Sequence, residues 1–142
     1  MSDDFVADSS IAIAWVVREQ SIKDSDLLLQ RVDSNAQFYV PTLWMFEVAN
    51  ALLVLLRRKR IDSEHYDRAR RDLIDLVPVV DDECSRFALD RTSELAKKYA
   101  LSAYDATYLE LSLRRGLPLA SRDGALNKAA KAAGIKILFS LR

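Results

Sequence analysis

Four acidic residues stand where chains rarely leave a charge, each interrupting or ending an apolar stretch. Asp8 follows Phe5-Val6-Ala7, Glu47 lies within Leu43-Trp44-Met45-Phe46-Glu47-Val48-Ala49, Asp105 within Leu101-Ser102-Ala103-Tyr104-Asp105-Ala106, and Asp123 after Leu119-Ala120-Ser121-Arg122. A carboxylate drawn out of water without a partner either takes up a proton or finds a cation, because desolvating an isolated charge costs many kcal/mol. Several carboxylates converging on one place favour the cation. Oxygen-only ligands suit a hard ion such as Mg²⁺ or Mn²⁺, which keeps part of its water shell and accepts phosphate oxygens as further ligands. Without the ion, such a pocket repels phosphates. With one or two ions its sign inverts, and the same ions can activate water and stabilise the leaving oxygen of an in-line displacement.

Taken singly, each acid also has a structural reading. Asp8 can cap the helix that follows it, Asp105 can be the acidic member of a capping box opened by Ser102, and Asp123 before Gly124 can belong to a turn. Glu47 fits such readings least well, being inside an apolar helix and too far from Thr42 for capping. Glu47 and Asn50 are three residues apart and so share a helix face, as do Leu101, Asp105, Tyr108 and Leu109.

The elements that must position these residues follow from apolar runs and punctuation. Phe5 to Ala7 reads as a short strand, Ser9-Ser10 opens a helix carrying Ile11, Ala14 and Trp15, and a second helix covers Ile22 to Val32. Gln37 to Val40 is a strand closed by Pro41, and Thr42 is placed to cap a helix from Leu43 to Arg58. Further helices are predicted at Ser63 to Leu76, Asp82 to Tyr99, Ser102 to Arg115 (stopped by Gly116) and Ala125 to Ala133. Strands are predicted at Val77 to Val80, Leu117 to Ala120 and Ile135 to Leu138. Short, non-alternating strands between helices imply a parallel sheet covered on both faces, an α/β class in which ligands collect beyond the carboxyl ends of the strands. Asp8 is at such an end, and Asp123 is a few residues beyond another.

Composition narrows the functional classes. The 142 residues suit one domain, residues 1–142, and half of them are hydrophobic. Lys plus Arg and Asp plus Glu both number 21, so there is no global basic field and an anionic substrate must be held locally. One cysteine, Cys84, and one histidine, His65, exclude an internal disulfide and a His/Cys zinc site, and point to a reducing, cytoplasmic compartment. No basic segment followed by an apolar one opens the chain, and the longest apolar run, Val48 to Leu56, falls far short of the roughly 20 residues that span a bilayer. No membrane association is expected. Arg57-Arg58-Lys59-Arg60 reads as a solvated helix end or a phosphate-contact patch, and Asp81-Asp82-Glu83 as a helix N-terminus. Trp15, Trp44 and Phe46 read as core or interface aromatics.

In order and context, Val6-Ala7-Asp8-Ser9-Ser10, Glu47-Val48-Ala49-Asn50-Ala51-Leu52, Ser102-Ala103-Tyr104-Asp105-Ala106-Thr107-Tyr108 and Leu119-Ala120-Ser121-Arg122-Asp123 resemble the PIN-domain ribonucleases, specifically the VapC toxins of toxin–antitoxin pairs. The resemblance covers almost the whole chain. It implies an α/β/α sandwich with a short parallel central sheet, and Mg²⁺- or Mn²⁺-dependent endonucleolytic cleavage of RNA by water. It also implies Asp8 and Asp105 as principal metal ligands, Asp123 as a direct or water-mediated ligand, and Glu47 as ligand of a second ion or orienter of the attacking water. Ser10 and Ser121 would orient the carboxylates. A cognate VapB-like antitoxin covering the site and a toxin homodimer are further implications, with Tyr108 and the Trp44 region as parts of such surfaces or of the core. Ser121 stands where the family often has Thr, and Gly124-Ala125 where many members carry another acid or amide, for which Asn127 is the candidate substitute.

Two other readings remain open. One is a non-catalytic module whose acidic pocket captures a basic peptide. The other is a phosphoester hydrolase of another α/β class, although phosphatases of the haloacid-dehalogenase type usually carry a second Asp two positions after the nucleophile, where this chain has Ser10.

Overall fold

A computed structural model describes residues 3–138. The elements run β1 (Phe5–Ala7), α1 (Ser9–Val16), α2 (Lys23–Asp33), β2 (Phe38–Pro41), α3 (Leu43–Arg57), α4 (Ser63–Asp75), β3 (Val79–Asp81), α5 (Ser93–Tyr99), α6 (Ala103–Arg115), β4 (Leu119–Ala120) and α7 (Gly124–Ala132). All strand pairs are parallel, in the order β3-β2-β1-β4. The expected α/β/α architecture is therefore present, with α1 packed on α2, α3 and α4, and α6 on α5, α7 and three of the strands.

Local chemistry sets the helix starts. Asp8, Asp62, Ser102 and Asp123 are extended residues whose side chains accept from first-turn amides of α1, α4, α6 and α7, satisfying donors that no helix can satisfy itself. Thr42 does not cap α3 as expected. Its own dihedrals are already helical, which keeps its hydroxyl away from the first-turn amides. Gly116 ends α6 in the left-handed region at φ +65°, where a side chain would be strained.

Three further expectations are corrected. The helix drawn from Asp82 to Tyr99 is broken: a 3₁₀ turn covers Cys84–Phe87, and Asp90 (φ −114°, ψ −108°) interrupts the helix before α5. The last strand, Ile135 to Leu138, is reduced to an isolated parallel bridge between Leu119 and Ile137, because β4 is only two residues long and offers nothing more to pair with. Asp81 does not start a helix. It ends β3, is buried, and accepts from the Glu83 amide at 2.9 Å.

Aromatic contacts tie α1 and α3 to the sheet: Trp15 meets Phe38 edge-on at 5.2 Å between ring centroids, and Trp44 lies 6.0 Å from Phe38. Phe46, by contrast, is 78 % exposed. From Ala106 to Ser112 every residue of α6 is buried, so this helix is a central beam rather than a half-exposed one. Its carboxyl end is held by charge. Arg114 reaches Asp81 at 2.7 Å and Glu110 at 2.9 Å, Arg115 reaches Asp81 at 3.2 Å, and both carboxylates are buried. Burial raises the Asp81 carboxyl, but hydrogen bonds from Arg114, the Glu83 amide and Arg115 outweigh it and hold the group at about 2. Cys84 beneath this cluster is pushed up to about 12 by burial and by Asp81, so its thiol stays protonated.

Replacing Arg114 by Leu leaves buried Glu110 without a cation and Asp81 with Arg115 alone, and should cost about 3–5 kcal/mol in urea unfolding. Because the Asp81 value is lowered on folding, its contribution, roughly 2 kcal/mol, is complete above the unfolded value near pH 4 and is lost as pH falls toward 2. The Leu variant should show a shallower acid dependence, and an unchanged acid slope would refute this account.

Candidate active site

In an open parallel sheet, the crevice lies where successive strands depart to opposite sides. Here the chain runs from β1 outward through β2 to β3 and returns to place β4 on the other flank of β1, so the switch point is the carboxyl end of the β1–β4 pair. Ala7 pairs with Ala120, and the Asp8 amide donates to the Ala120 carbonyl at 3.1 Å. Asp8 and Ser121 are the next residues of the two strands, and they meet: the Ser121 hydroxyl donates to Asp8 Oδ2. Ser121 Oγ itself accepts from the Asp123 amide at 2.9 Å, which fixes its proton toward Asp8. Ser10 acts symmetrically on Oδ1: its hydroxyl donates to Asp8 at 2.5 Å while accepting from the Arg122 amide at 2.9 Å. Both carboxylate oxygens of Asp8 are thus aimed by hydroxyls that the loop after β4 orients.

The capping readings and the clustering hold together. Asp8 Oδ1 accepts from the amides of Ser10 and Ile11 at the start of α1, and Asp123 Oδ1 from those of Ala125 and Leu126 at the start of α7. Ser102 caps α6 through the Asp105 amide at 3.1 Å. Capping uses one oxygen of Asp8 and one of Asp123.

Glu47 enters from α3. It is half-buried, and the hydroxyl of the fully buried Tyr108 donates to its Oε1 at 2.5 Å. Burial raises the Tyr108 phenol far beyond the usual tyrosine range, with Glu47 adding to it, so the ring remains a donor. Tyr108 is one turn from Asp105 on α6, and the pair ties α3 to α6 across the site. Asn50, predicted to share the face of Glu47, is exposed and is not brought to the cluster. Asn127 donates from Nδ2 to the Ser121 carbonyl at 2.8 Å, so its amide holds the loop.

Burial raises three of the acids, and repulsion from neighbouring carboxylates adds to it at Glu47 and Asp105. Burial pushes the Asp8 carboxyl up to about 6 against the lowering effect of its hydrogen bonds from Ser10, Ser121 and the Ile11 amide. Glu47 is raised by burial and by repulsion from Asp105 and Asp8, and Asp105 by burial and by repulsion from Asp123. None of the four makes a salt bridge among the described residues. Nor, among those residues, are three His, Cys, Asp or Glu side chains gathered closely enough to hold a metal ion by themselves. The donors are all oxygens, a set that fits a hard cation such as Mg²⁺, which takes one or two carboxylates and completes its shell with water and substrate oxygens. Uncompensated, raised carboxylates are what such a cation would relieve.

Two contributors escaped the sequence reading. Tyr108 was weighed only as core or partner surface, and its hold on Glu47 spans 61 positions. Arg122 stands in the sequence only as the basic neighbour of Asp123. Its guanidinium reaches back to Gln20, which no spacing rule connects to it.

Because Asp8 is raised on folding, its protonated form favours the fold fully below pH 4, and that stabilisation is lost as pH rises through about 6. The metal-free Asp8→Asn variant should therefore unfold at higher temperature than the parent at neutral pH, by roughly 2–3 kcal/mol of stability, with the two converging near pH 4. Added Mn²⁺ should raise the melting temperature of the parent and not of the variant. A variant less stable than the parent at every pH would contradict the assigned strain.

Comparison with known proteins bears on the fold and the family. No curated protein matches the sequence. Among solved structures, PAE2754 from Pyrobaculum aerophilum is similar, with a TM-score of 0.69 and 22 % identity over 97 % of this chain and 92 % of the other. A toxin–antitoxin complex from Klebsiella pneumoniae gives 0.65 and 16 % identity over 96 % of this chain and 99 % of that one. VapBC2 from Rickettsia felis, bound to a DNA fragment from its promoter, gives 0.64 and 10 % over 94 % and 96 %. At such identities these likenesses concern the fold. The family profile described as PIN domain matches residues 5–132, from the first residue of β1 to the last of α7. This chain belongs to the PIN domain family.

Proposed function

We propose that the protein is a divalent-metal-dependent endoribonuclease, the VapC-type toxin of a toxin–antitoxin pair. The observation that carries this reading is the convergence, at the switch point, of Asp8 held by two hydroxyls with Glu47 and Asp105, all raised by burial and none relieved by a cationic side chain. Membership of a family whose members are generally nucleases supports the same chemistry.

Asp8 and Asp105 are the residues that would hold Mg²⁺ or Mn²⁺, with Asp123 bound directly or through water and Glu47 serving a second ion or the attacking water. When bound, such an ion supplies Lewis acidity and lowers the pKa of water. The rest falls to the side chains. Ser10 and Ser121 fix the direction of the Asp8 oxygens, and Tyr108 pins Oε1 of Glu47, leaving Oε2 to accept from water. A carboxyl raised above its ordinary value is a better proton acceptor near neutral pH than a free one.

A protein partner is part of the proposal. An apolar cavity of about 290 Å³ opens between α3 and α4, lined by Trp44, Met45, Val48, Leu73 and Ile74 among others. Ile74 is 72 % exposed there and the neighbouring Val77 84 %, an apolar patch suited to a VapB-like antitoxin or to a second toxin subunit. The Klebsiella relative being a toxin–antitoxin complex supports this reading. No helix among the described residues is long and apolar enough to cross a membrane.

Labelled RNAs incubated with the purified protein should be cut in the presence of Mg²⁺ or Mn²⁺ and left intact with EDTA. Asp8→Ala and Asp105→Ala should abolish cleavage, while Ser121→Ala should lower metal affinity or activity by about 10–100-fold. Cleavage without metal, or equal cleavage by the Asp variants, would overturn the mechanism.

A further inference from the structure

The cavity beside the carboxylates carries a charge of opposite sign. Ser9, Ser10, Ile13, Gln20, Ala51 and Arg122 line an open cleft of about 380 Å³ between α1, the turn after it, α3 and the loop following β4. It adjoins the site on three sides. Ser10 touches Asp8, Ala51 lies one helical turn beyond Glu47, and Arg122 stands between Ser121 and Asp123. The Arg122 guanidinium is fixed, because Nη1 donates to the Gln20 carbonyl at 2.8 Å and to Gln20 Oε1 at 3.3 Å. Both acceptors are neutral. Among the described residues no carboxylate pairs with Arg122, and its Nε and Nη2 have no protein acceptor.

We propose that Arg122, positioned by Gln20, is a phosphate-binding residue that takes a backbone phosphate of the RNA strand next to the one being cleaved. This assignment rests on the nuclease reading. With equal numbers of acidic and basic residues, the chain has no net field to attract RNA, and its carboxylates repel phosphates until a cation arrives. Affinity must come from fixed local cations. A guanidinium whose Nε and Nη2 remain free presents the fork that matches two phosphate oxygens, and phosphate contacts of this kind set the register of a strand without reading its sequence. The Ser9 hydroxyl lines the same cavity and can add a donor. A mere tie between the loop and the turn would need only a neutral donor to Gln20, not an unpaired charge beside a phosphodiester site.

The test uses the cleavage-deficient Asp8→Asn protein at a constant Mg²⁺ concentration, binding a fluorescent single-stranded RNA over a series of KCl concentrations, with and without Arg122→Gln. Loss of one phosphate contact should reduce the slope of log affinity against log salt by about 0.7, and should do so equally for RNAs of different sequence. Arg122→Lys should restore most of the slope. In the cleavage-competent protein, Arg122→Gln should raise KM severalfold with kcat nearly unchanged. An unchanged slope with a lowered melting temperature would make Arg122 a structural tie and overturn the assignment alone. Failure of the starting protein to bind or cleave RNA at any salt would overturn the nuclease reading and this assignment together.

Discussion

The contact between the Ser121 hydroxyl and the Asp8 carboxylate organises the rest of the molecule. These residues are 113 positions apart, and nothing but the pairing of β1 with β4 makes them neighbours. From that contact the hydrogen bonds spread in both directions. The Asp123 amide orients the Ser121 hydroxyl, the Arg122 amide orients the Ser10 hydroxyl, and Asp8 in turn caps α1. Three side chains, Asp8, Ser10 and Ser121, and the amides of Ser10, Ile11, Arg122 and Asp123 thus form one connected network, in which paired polar groups specify a geometry instead of merely costing free energy.

That network sits within an electrostatic conflict. Three carboxylates are held above their ordinary values by burial and, for Glu47 and Asp105, by neighbouring carboxylates. The buried ion pairs lie elsewhere, where Arg114 meets Asp81 and Glu110 at the far end of α6. Thirteen residues of helix span about 20 Å, so α6 carries a neutralised ionic lock at one end and an unneutralised acid, Asp105, at the other. The buried middle of the helix keeps the two apart.

Much of this was legible in the sequence, and the reason differs from element to element. Asp8, Glu47 and Asp105 stood out because apolar neighbours make a charge conspicuous, and the strand–helix alternation located Asp8 and Asp123 beyond strand ends. What local patterns could not show were partners chosen by packing. Arg114 reads as an ordinary cation near a helix end, yet it is the counter-ion of two buried acids. Asp81 reads as a helix opener, because sequence carries no sign that β3 extends to it and that Arg114 and Arg115 wait there. The strand expected at Ile135 to Leu138 failed for a related reason: its pattern was adequate, but its partner was only two residues long.

The brevity of β4 has an evolutionary consequence. Side chains alternate across a strand, so a register shift of one residue would present Ala120 or Arg122 to Asp8 in place of Ser121. With two paired residues there is no slack to absorb the change, and the segment from Leu119 to Asp123 should not accept an inserted or deleted residue. The turn from Ser34 to Gln37, at the opposite end of the sheet, lies before β2 and touches none of this network, so its length is free to drift among descendants of this chain.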